Sequence, residues 1–261
     1  MINFFKSWGS LIIATVALIQ PWALALWKGA FRRGVIDIHE TGKIEIGFGP
    51  LGPTIGLQGT LRAIHQDQFV RSAEITLIRK KDNSSHSLPW GLFRSGSLFV
   101  GREQQTSLEL PSGFMVTTLQ PHRYNIQFYD IGVQGEMQPY LVRVKQAWLE
   151  VARTTPTNPA PILGDLSEAR YTEFMKSNIW VDAFLAIDRQ CHWESGKYLL
   201  TLSVNTARPN RSYRRHWTFE LSDDDARQLR LNALTSFRES CGRPSQYFFA
   251  YPDYRQTVHT S

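Results

Sequence analysis

Between Lys6 and Lys28 the chain runs for 21 residues without a charge, Ser7 to Trp27, reading SWGSLIIATVALIQPWALALW. Wound as a helix at 1.5 Å per residue, that run spans about 30 Å, the thickness of a bilayer's hydrocarbon layer. A chain that commits this run to lipid must build its globular fold from the residues after about position 34. Trp8, Trp22 and Trp27 lie toward the ends of the run, where indole rings favour the interface. Lys6 precedes it, and Lys28, Arg32 and Arg33 follow it as a phosphate-facing flank. The segment is expected to be a single transmembrane helix that crosses the bilayer through residues 7–27, with Pro21 kinking its second half. Three cations after the run against one before it favour a cytoplasmic domain, with a periplasmic or extracellular one as the alternative.

The same residues also fit a cleaved signal peptide. Lys6 supplies a positive n-region, Leu11 to Ile19 an apolar h-region, and Ala23-Leu24-Ala25 a small-x-small cleavage pattern. A secreted or periplasmic binding domain would result. Retention is favoured because the apolar run continues through Leu26 and Trp27 and meets cations directly afterwards.

The formal charge of +6 says little about nucleic acid once it is located. The first 34 residues hold four basic side chains and no acid, whereas the remainder holds 25 basic and 23 acidic residues. The domain therefore lacks the basic balance of a dedicated nucleic-acid binder, and nucleic acid is not an expected partner. Cys191 and Cys241 are the only cysteines, which excludes a disulfide framework and leaves either two reduced thiols or one bridge.

From residue 35 the pattern turns to period two with frequent turn residues, the mark of half-buried antiparallel strands. Strands are expected at Val35 to His39, Lys43 to Phe48, Ile55 to Ile64, Ala73 to Lys80, His86 to Phe93, Thr106 to Leu110 and Arg123 to Tyr129. Thr41-Gly42 and Asp82 to Ser85 read as hairpin turns. An amphipathic helix follows over Glu136 to Arg153, with Leu141, Val144, Trp148 and Val151 on one stripe. Residues 154–164 are proline-rich and read as a linker. A second helix is expected over Leu166 to Ser177, then strands at Ile179 to Ile187, Lys197 to Asn205 and Arg214 to Leu221. A last helix runs from Asp223, capped by Ser222, and an aromatic tail closes the chain.

These elements predict a mainly β fold, an immunoglobulin-like β-sandwich with about three peripheral helices behind the transmembrane anchor; α+β is the alternative. Within it, Trp193 to Leu202 resembles the edge turn and core strand of immunoglobulin-like folds, a likeness of about ten residues that implies no site. The organisation expected is an anchor at 1–34, a strand-rich half at 35–153, the linker at 154–164, and 165–261 packed with the first half.

No motif promises chemistry. Gly47-Phe48-Gly49-Pro50-Leu51-Gly52 matches a dinucleotide fingerprint only formally, because Pro50 removes a phosphate-binding amide and Pro53 blocks the helix that should follow. Asp223 to Asp225 suit the first turn of a helix better than a cation, since consecutive helical residues point about 100° apart. Ser112 lacks a nucleophile-elbow frame, and no His pairs with a His or Cys at ligand spacing. No cofactor, metal or catalytic residue is expected.

The polar cluster of most interest is the hairpin carrying Arg208, Arg211, Tyr213, Arg214, Arg215 and Trp217. Arginine forks interleaved with rings can grip phosphates or an acidic partner, and charge on a strand edge also discourages aggregation. The function expected is a membrane-tethered, non-enzymatic recognition or scaffold protein with a protein partner or a second copy of itself. An enzyme or membrane effector whose site is assembled from distant loops is the alternative.

Overall fold

The computed structural model describes residues 15–24, 34–40, 42–100, 103–154, 168–207 and 209–256, with backbone only at 95–100 and 103–106. A helical stretch, α1, covers 15–24. The other elements are β1 Val35–Glu40, β2 Glu45–Gly49, β3 Gly52–Ile64, β4 Gln68–Arg79, β5 Ser85–Val100, β6 Glu103–Glu109, β7 Phe114–Val116 and β8 His122–Tyr129. They continue with α2 Ile131–Arg153, α3 Glu168–Phe174, α4 Asn178–Asp188, β9 Gly196–Thr206, β10 Arg211–Leu221, α5 Asp223–Ser240 and β11 Tyr254–Gln256. The fold is mainly β: eleven strands join in one antiparallel, curled sheet in the order β1-β3-β8-β5-β4-β9-β10-β11, with β2, β6 and β7 paired beside β3, β5 and β4.

Alternation in the sequence becomes alternation in burial. Ala73, Ile75 and Leu77 on β4 and Tyr198, Leu200, Leu202 and Val204 on β9 are buried, while their neighbours face outward. These two strands pair from Val70↔Thr206 to Arg79↔Tyr198 and form the middle of the core. Full burial of such a side chain contributes about 1.5–3 kcal/mol, so the alternation fixes the register as well as the face. The sheet turns its corner in β5, which pairs with β4 up to Pro89 and with β8 from Trp90. A bulge between Trp90 and Leu92 makes that turn. Gly91 is required there, because any Cβ would collide with the Tyr129 ring.

The C-terminal tail ties the curled sheet together. Ala250 exchanges two backbone hydrogen bonds of 2.9 Å with Ile46 of β2, and β11 then pairs with β10. Asn232 of α5 clamps the tail in passing, donating to Phe248 O at 2.7 Å and accepting from Phe248 N at 2.9 Å. The aromatic tail thus packs back on its own domain.

Two expectations are corrected. Ile179 to Ile187 is not a strand but lies within α4; its buried residues Trp180, Ala183 and Ile187 fall at helical spacing, and Ser177 caps it by accepting from Trp180 N at 3.3 Å. β1 and β2 do not form a hairpin at Thr41-Gly42; both pair with β3, lying end to end along it, and Thr41 itself is outside the described residues. The expected mainly β fold is observed, with β5 carrying the hydrogen-bonded path from one half of the sheet to the other. The Gly-Pro segment is the tight β2–β3 connection, with Gly49 opposite Gly52.

Strand direction gives the domain two unlike ends. At one, β8 leads through Asp130 into α2 and β10 leads through Ser222 into α5, and α2, α4 and α5 pack together around Trp148, Trp180 and Phe237. At the other lie the start of β1, the β3–β4 turn, the 117–121 loop and the β9–β10 turn, connected by the pairs Val35↔Ile64, Leu61↔His122 and Arg211↔Thr206. Among the described residues no helix is long and apolar enough to cross a membrane. Of the expected span, residues 15–24 are helical; Lys6, Trp8, Trp27, Lys28, Arg32 and Arg33 are outside the described residues.

Candidate functional site

The arginine hairpin is divided by its own strand. Side chains alternate across β10, so Tyr213, Arg215 and Trp217 turn inward while Arg214 is exposed on the outer face. Trp217 is only 1% exposed and belongs to the core. Arg215 is half-buried near Tyr124, whose phenol is pushed well above its ordinary range by burial, then by Glu40 and Tyr254. Arg208 is outside the described residues. The six residues therefore do not form one gripping surface; only Arg214, and in part Arg211, face water.

What Arg211 and Tyr213 do is hold the point where the chain enters the domain. The Tyr213 hydroxyl lies 2.8 Å from Gly34 O and 2.9 Å from the Gln68 side-chain oxygen, and Arg211 Nη1 donates to Gly34 O at 3.4 Å. One hydroxyl has one proton, and Gln68 is fully buried with its Nε2 lacking a partner. Turning the Gln68 amide over resolves the proton count: Tyr213 donates to Gly34 O and accepts from Gln68 Nε2.

A broad surface concavity lies on the outer face of β3 and β8. The pairs Gln58↔Asn125 and Thr60↔Arg123 set an amide, a hydroxyl and a guanidinium side by side across these strands. They floor a groove of about 790 Å³ walled by Phe93, Arg94 and Phe114. A second concavity of about 780 Å³ shares Thr60, His122 and Arg123 with it. Asn125 Oδ1 is buried without a partner, an acceptor turned away from bulk water. Arg94 is held by Glu45 at 2.7 Å, and Glu45 accepts from Tyr251 Oη of the tail at 3.3 Å. Beneath the strands, Gly59 cannot be replaced freely, because a Cβ would strike His39 O and the Tyr124 ring. Ser112 lines the groove too, but the His122 ring stacks on Phe114 at 4.1 Å rather than bonding to Ser112. Burial lowers the His122 pKa by disfavouring the charged imidazolium. The arrangement offers donors, acceptors and a ring face, which suits recognition of a polar, extended segment.

A smaller cleft of about 330 Å³ lies at the helical end and holds His86, His192 and Asp130. The two imidazoles stack at 4.3 Å, and burial lowers both pKa values; Arg79 adds to this at His86, and His86 adds to it at His192. Asp130 is committed to capping α2 by accepting from Gly132 N at 2.7 Å. No group of three or more metal-ligating side chains occurs among the described residues. Asp224 and Asp225 serve the start of α5, where Ser222 caps Asp225 N at 3.1 Å and Arg227 pairs with Asp224. Cys191 and Cys241 are both buried and free, with burial pushing their thiols up to about 11 and about 12.

Sequence reasoning passed over Gln58, Thr60, Arg123 and Asn125. Their alternation with Leu57, Leu61, Tyr124 and Ile126 was readable, but the register that sets them side by side was not. Comparison with known proteins finds no family model that matches the sequence and no curated relative.

Proposed function

We propose that this chain is a membrane-tethered, non-enzymatic recognition protein: an N-terminal transmembrane helix carries a β domain of sandwich type whose outer groove takes an extended segment of a protein partner. The observation that carries this reading is α1. Every one of its ten described residues is exposed, including Leu18 at 73% and Trp22 at 71%, so the apolar side chains of this helix face outward and a bilayer would cover them. The groove supports the recognition half, since Gln58, Thr60, Arg123 and Asn125 offer alternating donors and acceptors over strand backbone, with a wall of rings.

The test is co-purification from detergent-solubilised membranes, using the full chain beside a Thr60→Arg, Asn125→Arg variant that fills the groove. Both positions alternate with the buried Leu61, Tyr124 and Ile126, and an unchanged thermal midpoint confirms that the variant is folded. A protein that elutes with the unchanged chain and is lost from the variant supports the reading. Identical co-eluting proteins from both would overturn the groove as the recognition surface.

A further inference from the structure

The turn-built end of the domain brings together three features that the tether alone does not require. The first is chain entry. Gly34 is buried and fixed there by Tyr213 and Arg211, so the segment leading from the proposed span enters at this end and not at the helical one. Six residues separate Trp27 from Gly34, and the seven steps between them cover at most about 25 Å when fully extended. This end is thus held close to any bilayer that the span occupies.

The second is apolar exposure. Phe69 and Met115, register partners on β4 and β7, are exposed at 39% and 51%, and Leu119 at the crown of the next loop is exposed at 95%. That loop is built rather than loose: Thr118 donates to Asp67 Oδ1 through its backbone N at 2.7 Å and through its hydroxyl at 3.1 Å, which pins it to the β3–β4 turn. The β9–β10 turn closes on the same patch, with Ala207 N donating to Phe69 O at 3.0 Å. The third is charge. Arg62, Arg71 and Arg123 are exposed on the strand ends around the patch, and Arg211 stands at the hairpin tip. The acids nearby, Asp67 hydrogen-bonded by Thr118 and Asp37 bonded to His39, are outnumbered by these four arginines.

Apolar side chains projecting from a pinned loop, ringed by arginines, match the boundary between acyl chains and anionic headgroups. We infer that this end of the domain docks on the surface of an anionic bilayer, with Leu119, Met115 and Phe69 entering the interface and Arg62 and Arg71 meeting lipid phosphates. The strands then stand away from the membrane, and the helical end faces outward. β3, thirteen residues long, covers about 40 Å of that height. This inference rests on the tether proposed above.

The test uses the full chain in phosphatidylcholine bilayers with or without phosphatidylserine, each containing nitroxide-labelled lipid. A fluorophore is attached at Leu119→Cys, or at Lys81→Cys in the β4–β5 turn at the opposite end. Cys191 and Cys241 are buried with raised thiol pKa values and stay unlabelled. The account expects quenching at position 119 that deepens with phosphatidylserine, and none at position 81. Arg62→Glu with Arg71→Glu should lower the docking equilibrium constant by at least about fivefold for each arginine. A label at 119 that stays unquenched while the chain floats with the bilayers overturns the docking and leaves the tether standing. Quenching at 119 that ignores lipid charge also overturns it, since the arginines then play no part. A chain that does not float with the bilayers removes the tether and the docking together.

Discussion

Tyr213→Phe removes one oxygen atom and tests how the domain secures its entry strand. The hydroxyl serves Gly34 O at 2.8 Å and the side chain of Gln68 at 2.9 Å, and Gln68 is fully buried. Without it, one hydrogen bond to Gly34 is lost, at about 1 kcal/mol, and the Gln68 amide is left buried without this partner, at about 1–3 kcal/mol. The sum is about 3 kcal/mol, and a domain of this size loses about 2–4 °C of Tm per kcal/mol, so the midpoint should fall by about 6–12 °C. The assay is thermal unfolding of the full chain in detergent, followed by intrinsic tryptophan fluorescence. Tyr251→Phe is the control, because its hydroxyl reaches Glu45 at 3.3 Å from an exposed position and its removal should cost no more than about 0.5 kcal/mol. Equal midpoints for Tyr213→Phe and the unchanged chain would refute the reasoning, as would equal losses in the two variants.

Gly59→Ala should destabilise by about 1–3 kcal/mol or more in chemical denaturation, since its Cβ meets backbone at His39 O and the buried Tyr124 ring. Phe237→Ala, emptying a fully buried site 4.8 Å from the Trp180 ring, should cost about 3–5 kcal/mol in the same experiment. Because His86 and His192 have folded pKa values below their ordinary value of about 6.5, the unfolded chain binds more protons as pH falls. Their contribution is therefore full above about pH 6.5 and is lost as pH drops beneath it. His86→Asn with His192→Asn should flatten the fall in Tm between about pH 7 and pH 5, leaving the part due to His122.

Local pattern carried much of the strand map and little of the site. Ala73 to Leu77 alternates cleanly and forms the core of β4, and Ser222 before three acids marks α5 to the residue. α4 was hidden because Ile179, Trp180, Val181 and Phe184 are β-formers by composition, while the Ser177 cap and the 180, 183, 187 spacing state the helix. Period two also divides the arginine hairpin: Arg211, Tyr213, Arg215 and Trp217 share one parity and Arg214 has the other. No local pattern could join Tyr213 to Gly34, 179 positions away, or set Gln58 beside Asn125, because those contacts follow from register and from how far the sheet curls. The break near Thr41-Gly42 was legible, but the end-to-end placement of β1 and β2 was not, since both strands pair with β3 rather than with each other.

Everything proposed about function depends on residues 7–27 staying attached and in lipid. Cell membranes washed in alkaline carbonate, with the retained protein weighed intact, test that directly. The account predicts that the chain remains in the membrane pellet with its mass still including Met1. A soluble protein whose mass begins at Leu26 would contradict it.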